Sequence, residues 1–105
     1  MTLDVEAWIR YPKIDAHCHA GGGEALGDSL VAGGDLLGVK EMWCSRPITG
    51  GRIAPMEDVR RGNDEVLGAM ARHPKRIQGL CFVIPGYYKA AVAEVERCLD
   101  AGMMG

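Results

Sequence analysis

Leu80-Cys81-Phe82-Val83-Ile84 is an unbroken apolar run, with no polar position to face water on either side. A strand with one solvated face would alternate. A continuous run fits a strand covered on both faces, as in a parallel sheet flanked by helices. With Ile77 before it and the turn pair Pro85-Gly86 after it, a strand is expected over residues 77–84. Parallel neighbours need long crossovers, usually helical. The segment after the turn supplies one: Tyr88, Val92, Val95 and Leu99 recur at helical spacing over residues 88–101, and Gly102 stops the pattern. That stripe is expected to be core, with Glu94, Glu96, Arg97 and Asp100 facing out.

The same alternation runs through the rest of the chain. Residues 1–11 read as an approach segment in which Trp8, Ile9 and Tyr11 pack on the body, and Pro12 ends any helix. A first strand is expected over 13–19. After a glycine-rich loop over 21–27, Asp28 is a plausible N-cap for a helix to Leu37. Leu26, Leu30, Val31 and Leu37 form its apolar side, Gly33 and Gly34 weaken it, and Gly38 is its stop. A second strand covers 39–45, centred on Met42, Trp43 and Cys44. A loop follows over 46–52, then a helix from Pro55 to His73 with Val59, Val66, Leu67 and Met70 on one face and an interruption possible at Gly62-Asn63. Met103-Met104-Gly105 reads as the start of a fourth strand. The order implies an α/β fold with right-handed crossovers in one domain over 1–105.

The chemistry concentrates in Ile14-Asp15-Ala16-His17-Cys18-His19-Ala20, followed by Gly21-Gly22-Gly23. In a regular strand Asp15, His17 and His19 share one face. Two neutral imidazoles on one face can hold one metal ion. A catalytic Zn takes three protein ligands, so a third would come from Asp15, a cysteine, Glu24 or Asp28. Asp15 could instead orient an imidazole. Arg46, Trp43 and Tyr87 stand at or just past strand C-termini and are weak substrate-contact candidates. His73 lies at the far end of a helix, where a surface position is expected. The glycine loop has no Lys-Ser/Thr partner, so a phosphate reading is discounted.

Composition narrows the function classes. The 105 residues carry a net charge of −2, which gives no basic footprint for nucleic acid. No apolar run approaches membrane-helix length and the acidic start has no signal-peptide core, so a cytoplasmic chain is expected. Cys18, Cys44, Cys81 and Cys98 show no Cys-x-x-Cys spacing and are expected to be buried free thiols.

Ile14-Asp15-Ala16-His17-Cys18-His19 resembles the first-strand signature of the amidohydrolase superfamily, in particular the amidohydrolase 2 group. Leu36-Leu37-Gly38-Val39, Asn63 to Val66, His73-Pro74-Lys75-Arg76-Ile77-Gln78-Gly79-Leu80, Val83-Ile84-Pro85 and Glu94 to Gly102 resemble later junctions of that family. The resemblance implies the first three to four β/α units of a (β/α)8 TIM barrel, a fold of about 250 residues when whole. It implies His17 and His19 as metal ligands, Asp15 behind them, and a divalent metal, Zn with Mn or Fe as alternatives. The implied activity is hydrolysis, or non-oxidative decarboxylation, of a small cyclic or aromatic carboxylic or amide substrate. The family's other ligands come from later strands. Two other readings stand beside it. A PHP-type phosphoesterase also opens with His-x-His but carries an acidic residue soon after, where this chain has Ala20-Gly21-Gly22. A non-catalytic assembly module would pair its open edges with another copy or a complementing chain.

Overall fold

The computed structural model describes residues 2–20, 24–48, 50 and 53–105; Glu24 and Leu26 are described by their backbone alone. The glycines at 21–23 and most of the 49–52 turn lie outside the described residues. The elements are α1 (Val5–Arg10), β1 (Lys13–His19), α2 (Glu24–Leu37), β2 (Val39–Ser45), α3 (Met56–Arg72), β3 (Ile77–Gly79) and α4 (Lys89–Asp100). The strands form a three-stranded parallel sheet in the order β1-β2-β3. Consecutive parallel neighbours joined by right-handed crossovers place their helices on one face. There α2 packs against α3, and α3 against α4. Cys18, Ala20, Met42, Cys44, Val66, Ile77, Cys98 and Met103 are buried together between sheet and helices. All four cysteines are free, Cys81 being half-buried and the others buried. Among the described residues, no helix is long and apolar enough to cross a membrane.

The third strand is shorter than the apolar run suggests. It pairs with β2 only to Gly79, because β2 leaves the sheet after Ser45. Leu80 donates the next backbone bond, to Cys44 O at 2.8 Å. Beyond that α3 takes over: Phe82 N–H donates to Asn63 Oδ1 and Asn63 Nδ2 donates to Phe82 O, both at 2.9 Å. A side-chain amide thus stands in for the missing strand neighbour. On the outer side of β3, Met104 N–H donates to Gly79 O at 2.9 Å and Cys81 N–H to Gly105 O at 2.7 Å. Residues 103–105 therefore run beside β3, as the expected fourth strand would.

All four helices differ from expectation, the first three in where they begin, continue or pack. Residues 5–10 form α1, started by Asp4, whose carboxylate accepts the Ala7 N–H at 3.0 Å. Trp8 and Tyr11 are exposed rather than packed. What holds α1 is backbone: Gly38, at φ +70°, lies so close to the Ile9 carbonyl that a Cβ there would stand 2.0 Å from it. Helix α2 begins at Glu24, so Asp28 is inside it and not its cap. Asp28 instead binds Arg72 and His73 of the neighbouring segment, and Leu37 is exposed where an apolar contact was expected. Helix α3 runs through Gly62-Asn63 without interruption, Pro55 serving as its N-cap residue.

In α4 the stripe 88/92/95/99 is not the core face. Tyr88, Val92 and Leu99 are exposed, while Ala91, Glu94 and Cys98 are buried. Each buried position lies one residue before an expected one, so the helix is turned by roughly 100°. The cause is Glu94, drawn inward by polar partners. It accepts from Asn63 Nδ2 at 2.9 Å and from Arg97 Nη2 and Nε, at 2.7 and 2.9 Å.

Candidate metal centre

The register of β1 on β2 departs from a regular strand where the histidines stand. Asp15 pairs with Met42 and Cys18 with Cys44, so three steps along β1 match two along β2. The extra residue at Ala16-His17 is a bulge, which reverses the alternation of faces. Asp15 therefore does not share the histidine face. It lies level with Met42 on the helix side, lining a small cavity with Cys18, Ser29 and Leu30. His19 pairs with Ser45 and lies on the opposite, helix-free face, the face of Trp43 two residues earlier.

The Asp15 carboxylate maintains this shape. Its Oδ1 accepts the His17 backbone N–H at 3.0 Å, a bond to a donor that the bulge frees from the ladder. That bond, aided by the Cys18 thiol, holds the Asp15 carboxyl below its ordinary range. Asp15 was expected to orient an imidazole; it orients the backbone that carries one.

The two imidazoles meet edge to face, with ring centroids 5.1 Å apart and planes at 89°. Both residues are exposed. Imidazoles on one tetrahedral Zn, with Zn–N near 2.0–2.1 Å, have centroids roughly 5 Å apart, so the spacing suits a shared ion. The Nδ1 of His19 lies 3.4 Å from Ser45 O and 3.5 Å from Ser45 Oγ. Among the described residues no group of three His, Cys, Asp or Glu is placed to hold a metal. The expected third ligands are engaged elsewhere. Asp28 is held down to about 2, first by the Arg72 guanidinium and then by His73. Burial pushes the Cys18 thiol up to about 12, leaving it protonated in the core. The Glu24 side chain lies outside the described residues. Among the described residues, His17 and His19 thus offer two nitrogen donors, which fit part of a Zn, Mn or Fe site.

The substrate-contact candidates separate. Trp43 stays with the histidines' face, its Nε1 donating to Glu41 Oε1 at 2.9 Å. Arg46 turns away. It lies across Gly62 of α3, where a Cβ would come within 2.9 Å of its Cγ, and its Nε pairs with Glu65 at 3.3 Å. Tyr87 is occupied with the backbone, its hydroxyl donating to Ala54 O at 2.7 Å. His73, expected at the surface, is four-fifths covered in its side chain and sits 2.7 Å from Asp28. Sequence reading missed Ser45, which no motif marks; only the β1/β2 register sets it beside His19.

No protein-family model, curated protein or solved structure matches this chain.

Proposed function

We propose that His17 and His19 are two ligands of a divalent metal in a hydrolase site of amidohydrolase type, carried on a sheet that is part of a TIM-like barrel. The observation that carries this reading is the 5.1 Å edge-to-face pair at the C-terminal end of a parallel strand. Active groups of α/β barrels gather at that end. When bound, such a metal polarises a carbonyl or activates water for hydrolysis; decarboxylation of a small cyclic or aromatic acid would use the same ligands. The protein's own residues supply the frame. His17 and His19 donate nitrogen, Asp15 fixes the bulge between strand and imidazole, and Trp43 offers a flat wall to a substrate ring. Further ligands come from outside the described residues.

The test is metal content of protein purified without added metal, wild type against His17→Ala/His19→Ala. About one Zn, Mn or Fe per chain, lost in the double variant, is the expected result. A metal-free wild type that also takes up no Zn on titration overturns the reading.

A second reading, association with another copy of the chain, is favoured by the exposed apolar stripe Tyr88, Val92 and Leu99 on α4.

A further inference from the structure

The Ser45 carbonyl ends β2. It accepts the Ala20 backbone N–H at 3.3 Å and lies 3.4 Å from His19 Nδ1. A carbonyl oxygen has two lone pairs, so it can serve both donors. The Ser45 hydroxyl stands 3.5 Å from the same nitrogen. One ring nitrogen thus faces two oxygens of the same residue, the arrangement a shared, three-centre hydrogen bond requires. A carbonyl can only accept, so both oxygens are served when Nδ1 carries the proton of a neutral His19, whereas the Ser45 hydroxyl alone could also donate to a bare Nδ1. With the proton on Nδ1, the ring's lone pair resides on Nε2. Free imidazole side chains favour the opposite arrangement, with the proton on Nε2, so the contact has something to change.

We propose that Ser45 is the positioning residue of His19, fixing the proton on Nδ1 and presenting Nε2 as the ligating nitrogen. This deepens the metal reading of the same site, yet the tautomer can be measured without metal. The partner is built into the fold: His19 and Ser45 are opposed in the β1/β2 ladder, and the bulge at Ala16-His17 sets which β1 residue arrives there. Without the bulge, the residue opposite Ser45 would be Cys18. His17 is the internal comparison, its ring packing edge to face on that of His19.

The experiment is long-range ¹H–¹⁵N correlation of the imidazoles in metal-free protein, at a pH where His19 is neutral, for the wild type, Ser45→Ala and Ser45→Thr. Wild-type His19 is expected as the Nδ1–H form. Ser45→Ala loses the hydroxyl arm and should raise the Nε2–H share severalfold, and Ser45→Thr should restore the wild-type pattern. Zn titration of the same samples should show about tenfold weaker binding for Ser45→Ala, the low end for loss of a partner behind a ligand, because the carbonyl arm remains. Backbone amide spectra report whether each variant is folded. His19 in the Nε2–H form in the wild type, or identical tautomers in the wild type and Ser45→Ala, would overturn the proposal. An Nδ1–H tautomer that answers to Ser45 in a chain that binds no Zn would sink the metal reading and leave the positioning role standing.

Discussion

Glu94 shows how one residue can set the orientation of a helix. Its side chain is 1% exposed and carries a charge, a costly arrangement unless every oxygen is partnered. Arg97 grips both carboxylate oxygens, Asn63 donates to one, and Arg60 adds a bond from the rim at 3.3 Å. The Arg97 guanidinium, helped by Asn63, holds the Glu94 carboxyl down to about 2, against the desolvation that would raise it. In the unfolded chain the group titrates near 4.5. The fold therefore binds this proton less tightly than the unfolded chain does. The stabilisation is complete above about pH 4.5 and is lost as pH falls towards 2. Glu94→Gln is expected to lower stability by about 3 kcal/mol at neutral pH, since it leaves a guanidinium half-paired beside the core. Urea unfolding from pH 7 to 2.5 should also show a shallower acid loss in the variant than in the wild type. Some slope will remain, because Asp28 titrates over the same window. The sequence shows the charge of Glu94 but not its partners, which come from 31 residues upstream and from the next turn of α4. Charge alone argues for solvent, and that argument failed here.

At the scale of elements, the telling pair is β3 and α3. The apolar run 80–84 meets the composition rule for a buried parallel strand, yet ladder pairing to β2 stops at Gly79. The limit lies in the neighbour: β2 ends, and no strand remains to serve Phe82. Asn63 does so from the helix layer with both faces of its amide, and it has no exposed surface. Asn63→Ala would leave the half-buried Phe82 N–H without its partner, the Phe82 carbonyl with only the weak Cys81 thiol, and Glu94 short of one donor. A loss of about 2–3 kcal/mol is expected. Hydrogen exchange is the discriminating measurement. The Phe82 amide should lose protection by a larger factor than the β2 amides, whereas uniform loss across the sheet would mean that Asn63 stabilises only globally. Helix α2 teaches a related lesson. Its buried side is made by Gly27 and Gly34 as much as by Leu30 and Val31, so apolar periodicity undervalued the face that packs.

At the scale of the whole molecule, apolar surface stays uncovered. Tyr88 is 81% exposed, Val92 59% and Leu99 46%, all along α4. Patches of this kind mark contact sites. Sedimentation velocity is expected to find species heavier than the 11.3 kDa chain, shifting towards that mass in Tyr88→Lys/Val92→Lys. A wild type that runs as a single monomer at all concentrations would defeat the association reading. The sequence by itself determined the class of fold, because hydrophobic period and turn residues are local properties: β1 and β2 lie where alternation places them, Gly38 ends α2, and the strand–helix order makes the sheet parallel. It also located the histidine pair at a strand end. Only the tertiary structure decided which way side chains face, since facing depends on register. One extra residue at Ala16-His17 puts Asp15 and His19 on opposite faces and sets Ser45 beside His19, while Arg46, past the end of β2, lies on α3. A bulge is stabilised by its partner strand and by the Asp15 carboxylate on a freed N–H, and that pairing exists only once the chain has folded.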